Sequence, residues 1–242
     1  MNHLAMHEGA TALVLGATGL VGGELLRQLA ADERCKRVVA LGRRPAPFEH
    51  PKVEQRVIDF EAPETWRDEL RGDVLFSALG TTLKTAGSQA AQHKVDYTYQ
   101  LRVAEAAASR GVSTYVLVSA VGANPGSLLF YSRMKGELER DVSALPFERI
   151  CILRPGLLQG PRQERRPGER FAIATLRHLP AWSALASVRP IPVEVVARAA
   201  REAAFSEAPG STRSQPRLSL VPGAVVPEVY EARDLLRLGR AP

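Results

Sequence analysis

The chain has 242 residues, of which 45% are hydrophobic and 24% charged, a composition typical of a soluble globular protein with room for one α/β domain. Its two cysteines, Cys35 and Cys151, have no metal-binding or redox spacing, which argues against a disulfide scaffold and against a metal site. No apolar run approaches the roughly 20 residues that span a membrane, and the first ten residues lack a secretory signal, so we expect a cytoplasmic protein without a membrane anchor.

The net charge is +6 and the isoelectric point is about 9.7, values that are compatible with binding to nucleic acid. Arginines outnumber lysines by 27 to 5 and are scattered along the chain, so the bias is one of composition. The one dense basic run, residues 162–170, also carries two glutamates, and no nucleic-acid-binding motif accompanies it. The sequence therefore argues against a nucleic-acid partner.

Short apolar runs alternate with helical segments, a pattern that predicts a doubly wound parallel sheet with helices on both faces, the Rossmann-type α/β fold. The predicted strands are Ala12–Leu15, Arg37–Leu41, Val53–Ile58, Asp73–Leu79, Thr114–Ser119 and Glu148–Leu153. The predicted helices are Val21–Ala31, Glu64–Leu70, Val95–Arg110 and Tyr131–Ala144. In such a fold, ligands bind at the carboxyl ends of the strands.

Proline and glycine become frequent after Arg154-Pro155-Gly156, and strand signals become rarer. Beyond this point the sequence predicts a helix at Pro192–Phe205, a polar loop at Ser206–Pro216, a strand at Leu218–Val221 and a terminal helix at Pro227–Leu238. We expect a single domain in which about residues 10–156 form the core, while residues 157–242 form a small substrate-side lobe and tail.

Three glycines separate the first predicted strand from the first predicted helix, in the order Gly16-Ala-Thr-Gly19-Leu-Val-Gly22. Glycine lets the backbone turn sharply and approach a phosphate, and the following helix supplies free N–H groups and the positive end of its dipole. This context predicts a dinucleotide pyrophosphate site, and the alternative is an ordinary glycine-rich turn in another α/β protein. The residues assigned to this site are Gly16, Thr18, Gly19, Leu20, Val21 and Gly22.

The residues after the second predicted strand distinguish between two dinucleotides. A site that prefers NAD places Asp or Glu there to accept hydrogen bonds from the ribose 2′-OH, whereas this chain has Arg43 and Arg44. Guanidinium groups bind a 2′-phosphate through bidentate hydrogen bonds, so the sequence predicts NADP(H) as the cofactor. The alternative is that both arginines are solvated residues of a turn.

Two further turns contribute candidate cofactor-binding residues. Asp59 follows the third predicted strand and could accept a hydrogen bond from the adenine amino group with Phe60 beside it, although a helix N-cap explains Asp59 almost as well. Leu79, Gly80 and Thr81 follow the fourth predicted strand, where the glycine would let the backbone pass close to the nicotinamide-side ribose. An ordinary βα turn is the alternative.

Tyr131 and Lys135 are four residues apart in a predicted helix, so their side chains lie on one helix face. A nearby ammonium stabilises a phenolate, which makes a tyrosine a better proton donor and acceptor at neutral pH. Ser119 closes the fifth predicted strand, where its hydroxyl is expected to meet a substrate carbonyl. The alternative is that Tyr131 packs half-buried and that Lys135 is a solvated partner of Glu139.

Over about residues 10–205 the chain resembles the short-chain dehydrogenase/reductases in their atypical branch and, within it, the Tat-interacting-protein-like oxidoreductases. Besides the glycine turn, Ser119 and Tyr131-x-x-x-Lys135, the resemblance is carried by Gly42-Arg-Arg44, Val57-Ile-Asp-Phe-Glu61, Leu79-Gly-Thr-Thr82, Asp96-Tyr97, Phe130-Tyr-Ser-Arg-Met-Lys-Gly-Glu137, Leu153-Arg-Pro-Gly156 and Arg162-Gln-Glu-Arg-Arg-Pro-Gly-Glu169. The resemblance implies a Rossmann fold, NADP(H) binding and a catalytic set of Ser119, Tyr131 and Lys135.

Two hypotheses for the function follow. In the first, the protein is an NADP(H)-dependent oxidoreductase that reduces a small carbonyl compound, with Tyr131 as proton donor, Ser119 orienting the oxygen, Lys135 also holding the ribose, and Pro155 presenting backbone to the carboxamide. In the second, it is an NADP(H)-binding regulatory or protein-interaction module with little turnover. A carbonyl or alcohol substrate is the expected partner, and a homodimer is common for this fold.

Overall fold

The computed structural model describes residues 9–160, 190–206 and 225–240, and its central feature is a seven-stranded parallel sheet. The strand order is β3-β2-β1-β4-β5-β6-β9, which confirms the predicted doubly wound α/β fold. The strands of this sheet are β1 (Ala10–Leu15), β2 (Cys35–Gly42), β3 (Val53–Val57), β4 (Val74–Ser77), β5 (Thr114–Val118), β6 (Arg149–Arg154) and β9 (Glu228–Glu231). A separate parallel pair joins β7 (Leu158–Gln159) to β8 (Ile191–Pro192).

Helices cover both faces of the sheet. They are α1 (Leu20–Ala31), α2 (Leu83–Ala86), α3 (Gln89–His93), α4 (Tyr99–Ser109), α5 (Phe130–Val142), α6 (Val193–Phe205) and α7 (Ala232–Leu238). A π-helical turn, Lys94–Thr98, joins α3 to α4. None of the helices that the structure describes is long and apolar enough to cross a membrane.

Successive side chains of each strand point to opposite faces of the sheet, and this alternation divides the core into two layers. Ala12 and Val14 of β1 contact the cluster beneath α1 and α6, whereas Leu13 and Leu15 contact the cluster beneath α4 and α5. All four side chains are at most 1% exposed, because a strand buried on both faces has an apolar residue at every position. The apolar run Ala12–Leu15 in the sequence is therefore explained by the helices that cover both faces of the sheet at β1.

Three predicted elements differ in the structure. The helix predicted at Glu64–Leu70 is wrong: two 3-10 turns, Pro63–Thr65 and Arg67–Glu69, flank Trp66 instead. The Trp66 side chain is 3% exposed and its Nε1 donates to the Asp59 carbonyl at 2.6 Å, so its burial interrupts regular helix geometry. The helix predicted to begin at Val95 starts instead at Gln89 and contains the π turn.

The third difference lies at the sheet edge. The first half of the terminal helix predicted at Pro227–Leu238 is wrong, because Glu228–Glu231 forms β9 and pairs in parallel with β6. The helix begins only at Ala232, where Glu231 and Asp234 form a reciprocal capping box. The strand predicted at Leu218–Val221 and most of the loop after Ser206 lie outside the described residues.

The strand order reverses between β1 and β4. From β1 the chain moves outward to β2 and β3, and from β4 it moves in the opposite direction through β5 and β6. The connections that leave the carboxyl ends of these two central strands diverge, which opens a crevice at that edge of the sheet. The residues that follow β1, β4 and β5 are therefore brought to one place.

An ion-pair cluster joins α6 to the turn before β2. Arg34 Nη1 and Nη2 donate to the Glu202 carboxylate at 3.0 and 2.8 Å, and the Arg34 guanidinium also bonds to Asp32. Chiefly because of the hydrogen bond from Arg34, the pKa of Glu202 is lowered from 4.5 to about 2. A carboxyl whose folded-state pKa is lowered stabilises the fold above its unfolded-state pKa and loses that effect as the pH falls to the folded value.

We predict that Glu202→Gln lowers the free energy of unfolding by about 1 kcal/mol at pH 7, a small effect because water screens a partly exposed pair. The difference from wild type should shrink as the pH falls from 4.5 towards 2. Urea unfolding at pH 7 and pH 3 measures it, and Glu105→Gln, at an exposed position of α4, is the matched control. An equal loss at both pH values would contradict the role of the Glu202 charge.

Candidate active site

The glycine turn after β1 is held by backbone packing. Gly16 has φ +89°, and a Cβ there would lie 2.6 Å from the Leu79 backbone nitrogen. A Cβ on Gly22 would lie 2.2 Å from the Gly16 carbonyl oxygen. Neither position can carry a side chain without moving backbone, so these two glycines are required by the fold itself.

Gly19 is different because its backbone is extended, with φ −85° and ψ 173°. A Cβ added there would lie no closer than 3.3 Å to another atom, the Gly16 carbonyl oxygen. Thr18 and Gly19 are exposed, whereas Leu20 is half-buried and Val21 is buried. Among the residues that the structure describes no side chain caps α1, and the first turn of this helix contains no acidic residue. The first-turn N–H groups therefore point to the crevice without a partner from the helix, which suits a phosphate.

Arg43 and Arg44 are both exposed immediately after β2. Within the described part of the chain neither forms an ion pair, whereas Arg34, Arg149 and Arg154 are all paired with carboxylates. Two uncommitted guanidinium groups at the carboxyl end of β2 are available to an anion.

The turn after β3 places its two predicted residues differently. Asp59 is exposed, and its Oδ1 accepts a hydrogen bond from the Glu61 backbone nitrogen at 2.9 Å. Phe60 is 2% exposed and stacks on Tyr99 with ring centroids 4.8 Å apart. The Phe60 side chain thus belongs to the core, which leaves the Asp59 carboxylate as the accessible group of this turn.

The turn after β4 is tied to a buried carboxylate that the sequence interpretation did not include. The Thr81 backbone nitrogen donates to Asp96 Oδ2 at 2.7 Å, and Lys135 Nζ lies 3.5 Å from Asp96 Oδ1. The Lys135 side chain is 4% exposed and that of Asp96 is 2% exposed. Burial raises the pKa of Asp96, while the Lys135 charge and the Thr81 N–H act in the opposite direction.

Helix α5 presents three functional candidates at four-residue spacing. Tyr131 is 44% exposed at the rim, whereas Lys135 and Glu139 are buried one and two turns further on. The alternative in which Lys135 is a solvated partner of Glu139 is wrong, because Lys135 is buried against Asp96. Gly136 permits this arrangement, since a Cβ there would lie 2.2 Å from the Pro125 backbone nitrogen in the loop that precedes α5.

Ser119 lies at the end of β5, as predicted, but its hydroxyl is already bonded. Ser119 Oγ donates to Glu139 Oε1 at 2.5 Å, and Arg154 donates to both oxygens of the same carboxylate at 3.1 and 2.6 Å. Arg154 also bonds to Glu231 at 3.0 Å. A carboxylate only accepts, so the single Ser119 proton lies towards Glu139, and towards any other group the Ser119 oxygen can only accept a hydrogen bond.

Pro155, at the end of β6, is buried, and its carbonyl oxygen accepts from the Val121 backbone nitrogen at 2.9 Å. This bond joins the turn after β6 to the turn after β5. The predicted candidates after β1, β4, β5 and β6 therefore share the carboxyl edge of the sheet. No cluster of possible metal ligands occurs among residues 9–160, 190–206 and 225–240.

The sequence interpretation missed Asp96, Glu139 as a partner of Ser119, and Arg154. Asp96 stands in a motif that was quoted only for family resemblance, and Glu139 follows Lys135 at the same four-residue interval that links Tyr131 to Lys135. That interval was the available signal for Glu139. Arg154 likewise stands in a segment that carries the family resemblance, but nothing in the sequence indicates its pairing with Glu139, which depends on how β6 and α5 are placed.

Comparison with known proteins identifies the family context of this site. Residues 16–166 match the model of the family described as NAD(P)H-binding. The chain is 43% identical over 165 residues to "Protein FMP52, mitochondrial" of Eremothecium gossypii, and the match covers 67% of this chain and 73% of that protein. The corresponding Saccharomyces cerevisiae protein is 45% identical over 155 residues, and the match covers 62% of this chain and 66% of that protein.

These names contradict the cytoplasmic location that the sequence predicted, since each relative is described as mitochondrial. The same holds for the protein of Emericella nidulans, which is 40% identical over 170 residues and covers 67% of this chain and 73% of its own length. The expectation had rested on the absence of recognisable export and membrane signals.

Solved structures share the fold. MoeE5, in complex with UDP-glucose and NAD, aligns with a TM-score of 0.63 at 18% identity, covering 95% of this chain and 80% of its own. The Helicobacter pylori ADP-L-glycero-D-manno-heptose-6-epimerase aligns with a TM-score of 0.61 at 21% identity, and the alignment covers 84% of this chain and 75% of the epimerase chain. At these identities the likeness shows the atypical dehydrogenase/reductase fold alone.

We predict opposite outcomes for two glycine substitutions. Gly22→Ala should lower the free energy of unfolding by about 2 kcal/mol, because its Cβ would overlap the Gly16 carbonyl oxygen. Gly19→Val should remain folded but lose NADPH binding, because its side chain would occupy the space of the pyrophosphate. Thermal unfolding and NADPH fluorescence titration measure the two effects. A folded Gly19→Val protein with wild-type affinity would refute this phosphate site.

Proposed function

We propose that this chain, which belongs to the NAD(P)H-binding family and has the atypical short-chain dehydrogenase/reductase fold, is an NADP(H)-dependent oxidoreductase that reduces a carbonyl substrate. The observation that carries the proposal is the arrangement on α5. Tyr131 is exposed in the first turn of α5, and Lys135, one turn further along, is buried beside Asp96, which also binds the Thr81 backbone after β4.

The exposed arginines support NADP(H) over NAD(H). Arginines, and no carboxylate, occupy the two positions directly after β2, where a site that prefers NAD has an acidic residue to accept hydrogen bonds from the ribose 2′-OH. Arg43 and Arg44 are exposed and are not committed to any carboxylate of the described residues. The glycine turn and the α1 N-terminus would hold the pyrophosphate, with Asp59 near the adenine and the Leu79–Thr81 turn near the second ribose.

NADPH, when bound, supplies the hydride, and the remaining steps belong to this chain. Tyr131 donates a proton to the oxygen of the reduced carbonyl, and the nearby Lys135 ammonium stabilises the phenolate that remains. Because its own proton is directed at Glu139, Ser119 accepts a hydrogen bond from the hydroxyl of the product. Pro155 presents backbone at the neighbouring strand end.

A second candidate function is favoured by the same Ser119 hydrogen bond. With the Ser119 proton donated to Glu139, no hydroxyl of Ser119 is available to polarise a carbonyl group. In the described part of the chain the Tyr131 hydroxyl also makes no hydrogen bond. A protein that binds NADP(H) as a regulatory module, without appreciable turnover, would have this arrangement.

We predict that Arg43→Ala weakens NADPH binding by about 1.5–3 kcal/mol and leaves NADH binding nearly unchanged, because the lost charge-assisted contact exists only with the 2′-phosphate. Fluorescence titration with each dinucleotide measures this. Arg71→Ala, which removes an exposed arginine elsewhere, is the control for general electrostatic attraction. If Arg43→Ala keeps wild-type NADPH affinity while Arg44→Ala loses it, Arg44 holds the phosphate.

We predict that Tyr131→Phe lowers turnover of carbonyl substrates by about 100-fold or more while NADPH affinity changes less than about twofold, because only the positioned acid is removed. Lys135→Met should reduce both the turnover and the NADPH affinity. A panel of aldehydes and ketones, assayed by NADPH oxidation, provides the measurement. Wild-type turnover by Tyr131→Phe would contradict the reductase proposal, and NADPH binding without turnover of any compound would support the binding module.

A further inference from the structure

Asp96 is a buried carboxylate to which the proposed reaction assigns no role. The residue is 1% exposed, and each of its carboxylate oxygens faces a different part of the site. Oδ2 accepts from the Thr81 backbone nitrogen at 2.7 Å, and Oδ1 lies 3.5 Å from Lys135 Nζ. A buried charge is costly unless it is paired and hydrogen-bonded, and Asp96 meets both conditions with residues of the site alone.

The local backbone holds Asp96 in this position. It lies in the π turn Lys94–Thr98, where the Tyr99 backbone nitrogen donates to the Lys94 carbonyl. The Asp96 carbonyl oxygen accepts from Gln100 Nε2 at 2.6 Å, and Gln100 Oε1 accepts from Ser77 Oγ of β4 at 2.7 Å. The extra residue of a π turn displaces the backbone of a helix locally, and such turns are frequent at functional sites.

The turn after β4 is shaped around the same carboxylate. A Cβ on Gly80 would lie 3.2 Å from Asp96 Oδ1, so the glycine leaves room for the carboxylate to reach between the turn and α5. Asp96 thereby contacts the two segments proposed to hold the second ribose, namely the Leu79–Thr81 turn and Lys135. Glu139, the next buried charged residue of α5, is paired with Arg154.

We propose that Asp96 is a positioning residue: it is the counter-ion that holds the Lys135 ammonium and the Thr81 backbone in the single arrangement that binds NADP(H). This inference rests on the proposed function, in which Lys135 contacts the ribose. Without the carboxylate, Lys135 would be a buried cation that has lost this partner, and it would turn away from the site.

The test compares NADPH affinity in variants of the full chain by fluorescence titration. Asp96→Asn keeps the size of the side chain and an oxygen for the Thr81 N–H, but it removes the charge. Lys135→Met and the double variant Asp96→Asn/Lys135→Met complete a double-mutant cycle. Asp141→Asn is the matched control, because Asp141 accepts from the Tyr97 hydroxyl of the same π turn without contacting Lys135.

We expect Asp96→Asn to weaken NADPH binding about tenfold at pH 7.5, because the Lys135 ammonium loses the partner that orients it. The double variant should bind within about twofold of Asp96→Asn. Asp141→Asn should bind as wild type. A purely structural role of Asp96 would lower the unfolding temperature and leave the effects of Asp96→Asn and Lys135→Met on NADPH affinity additive.

Two results would overturn this inference but not the proposed function. The first is wild-type NADPH affinity in Asp96→Asn. The second is a loss of NADPH affinity on Lys135→Met that is equally large in the wild-type protein and in Asp96→Asn. If Lys135→Met fails to fold, because it leaves Asp96 unpaired, the double variant removes both charges and is compared directly with Asp96→Asn. A wild-type protein that binds no NADPH would overturn the proposed function together with the inference, so the two failures are distinguishable.

Discussion

The arrangement of the site depends on a backbone-to-backbone contact between the turn after β1 and the end of β4. Gly16 packs against Leu79, and Gly22 packs against Gly16, at distances that leave no space for a Cβ. These contacts hold together the two strands at which the sheet order reverses, and they set the position of the first turn of α1 in the crevice between them. A side chain at either glycine would widen the crevice and displace the N–H groups that face it.

The position of α5 is constrained by buried charges. Lys135 and Glu139 both lie within the protein, and each is paired with a residue from another element, Asp96 from the π turn and Arg154 from β6. Removing one member of a buried pair leaves an uncompensated charge, so a rotation of α5 that separated these pairs would be strongly unfavourable. Tyr131, one turn before Lys135, is therefore held at the rim by interactions made deeper in the helix.

The two carboxylates that flank the site differ in what they do. Asp96 pairs with the Lys135 ammonium, whose Nζ lies 3.5 Å from Asp96 Oδ1. Glu139 takes the only proton that Ser119 can donate, which leaves the serine oxygen as an acceptor. Ser119 and Lys135 thus have partners that their spacing in the sequence does not specify.

By itself the sequence determined the parallel sheet, the glycine turn, the arginines after β2 and the helical spacing of Tyr131 and Lys135, because each depends on residues that are close along the chain. The tertiary structure alone decided the strand β9 at the sheet edge, the interruption of the predicted helix by the buried Trp66, the core position of Phe60 and the partners of Lys135 and Ser119. The physical reason is that burial and charge pairing join residues far apart in the chain: Asp96 and Lys135, or Glu139 and Arg154, become neighbours only when the helices pack on the sheet.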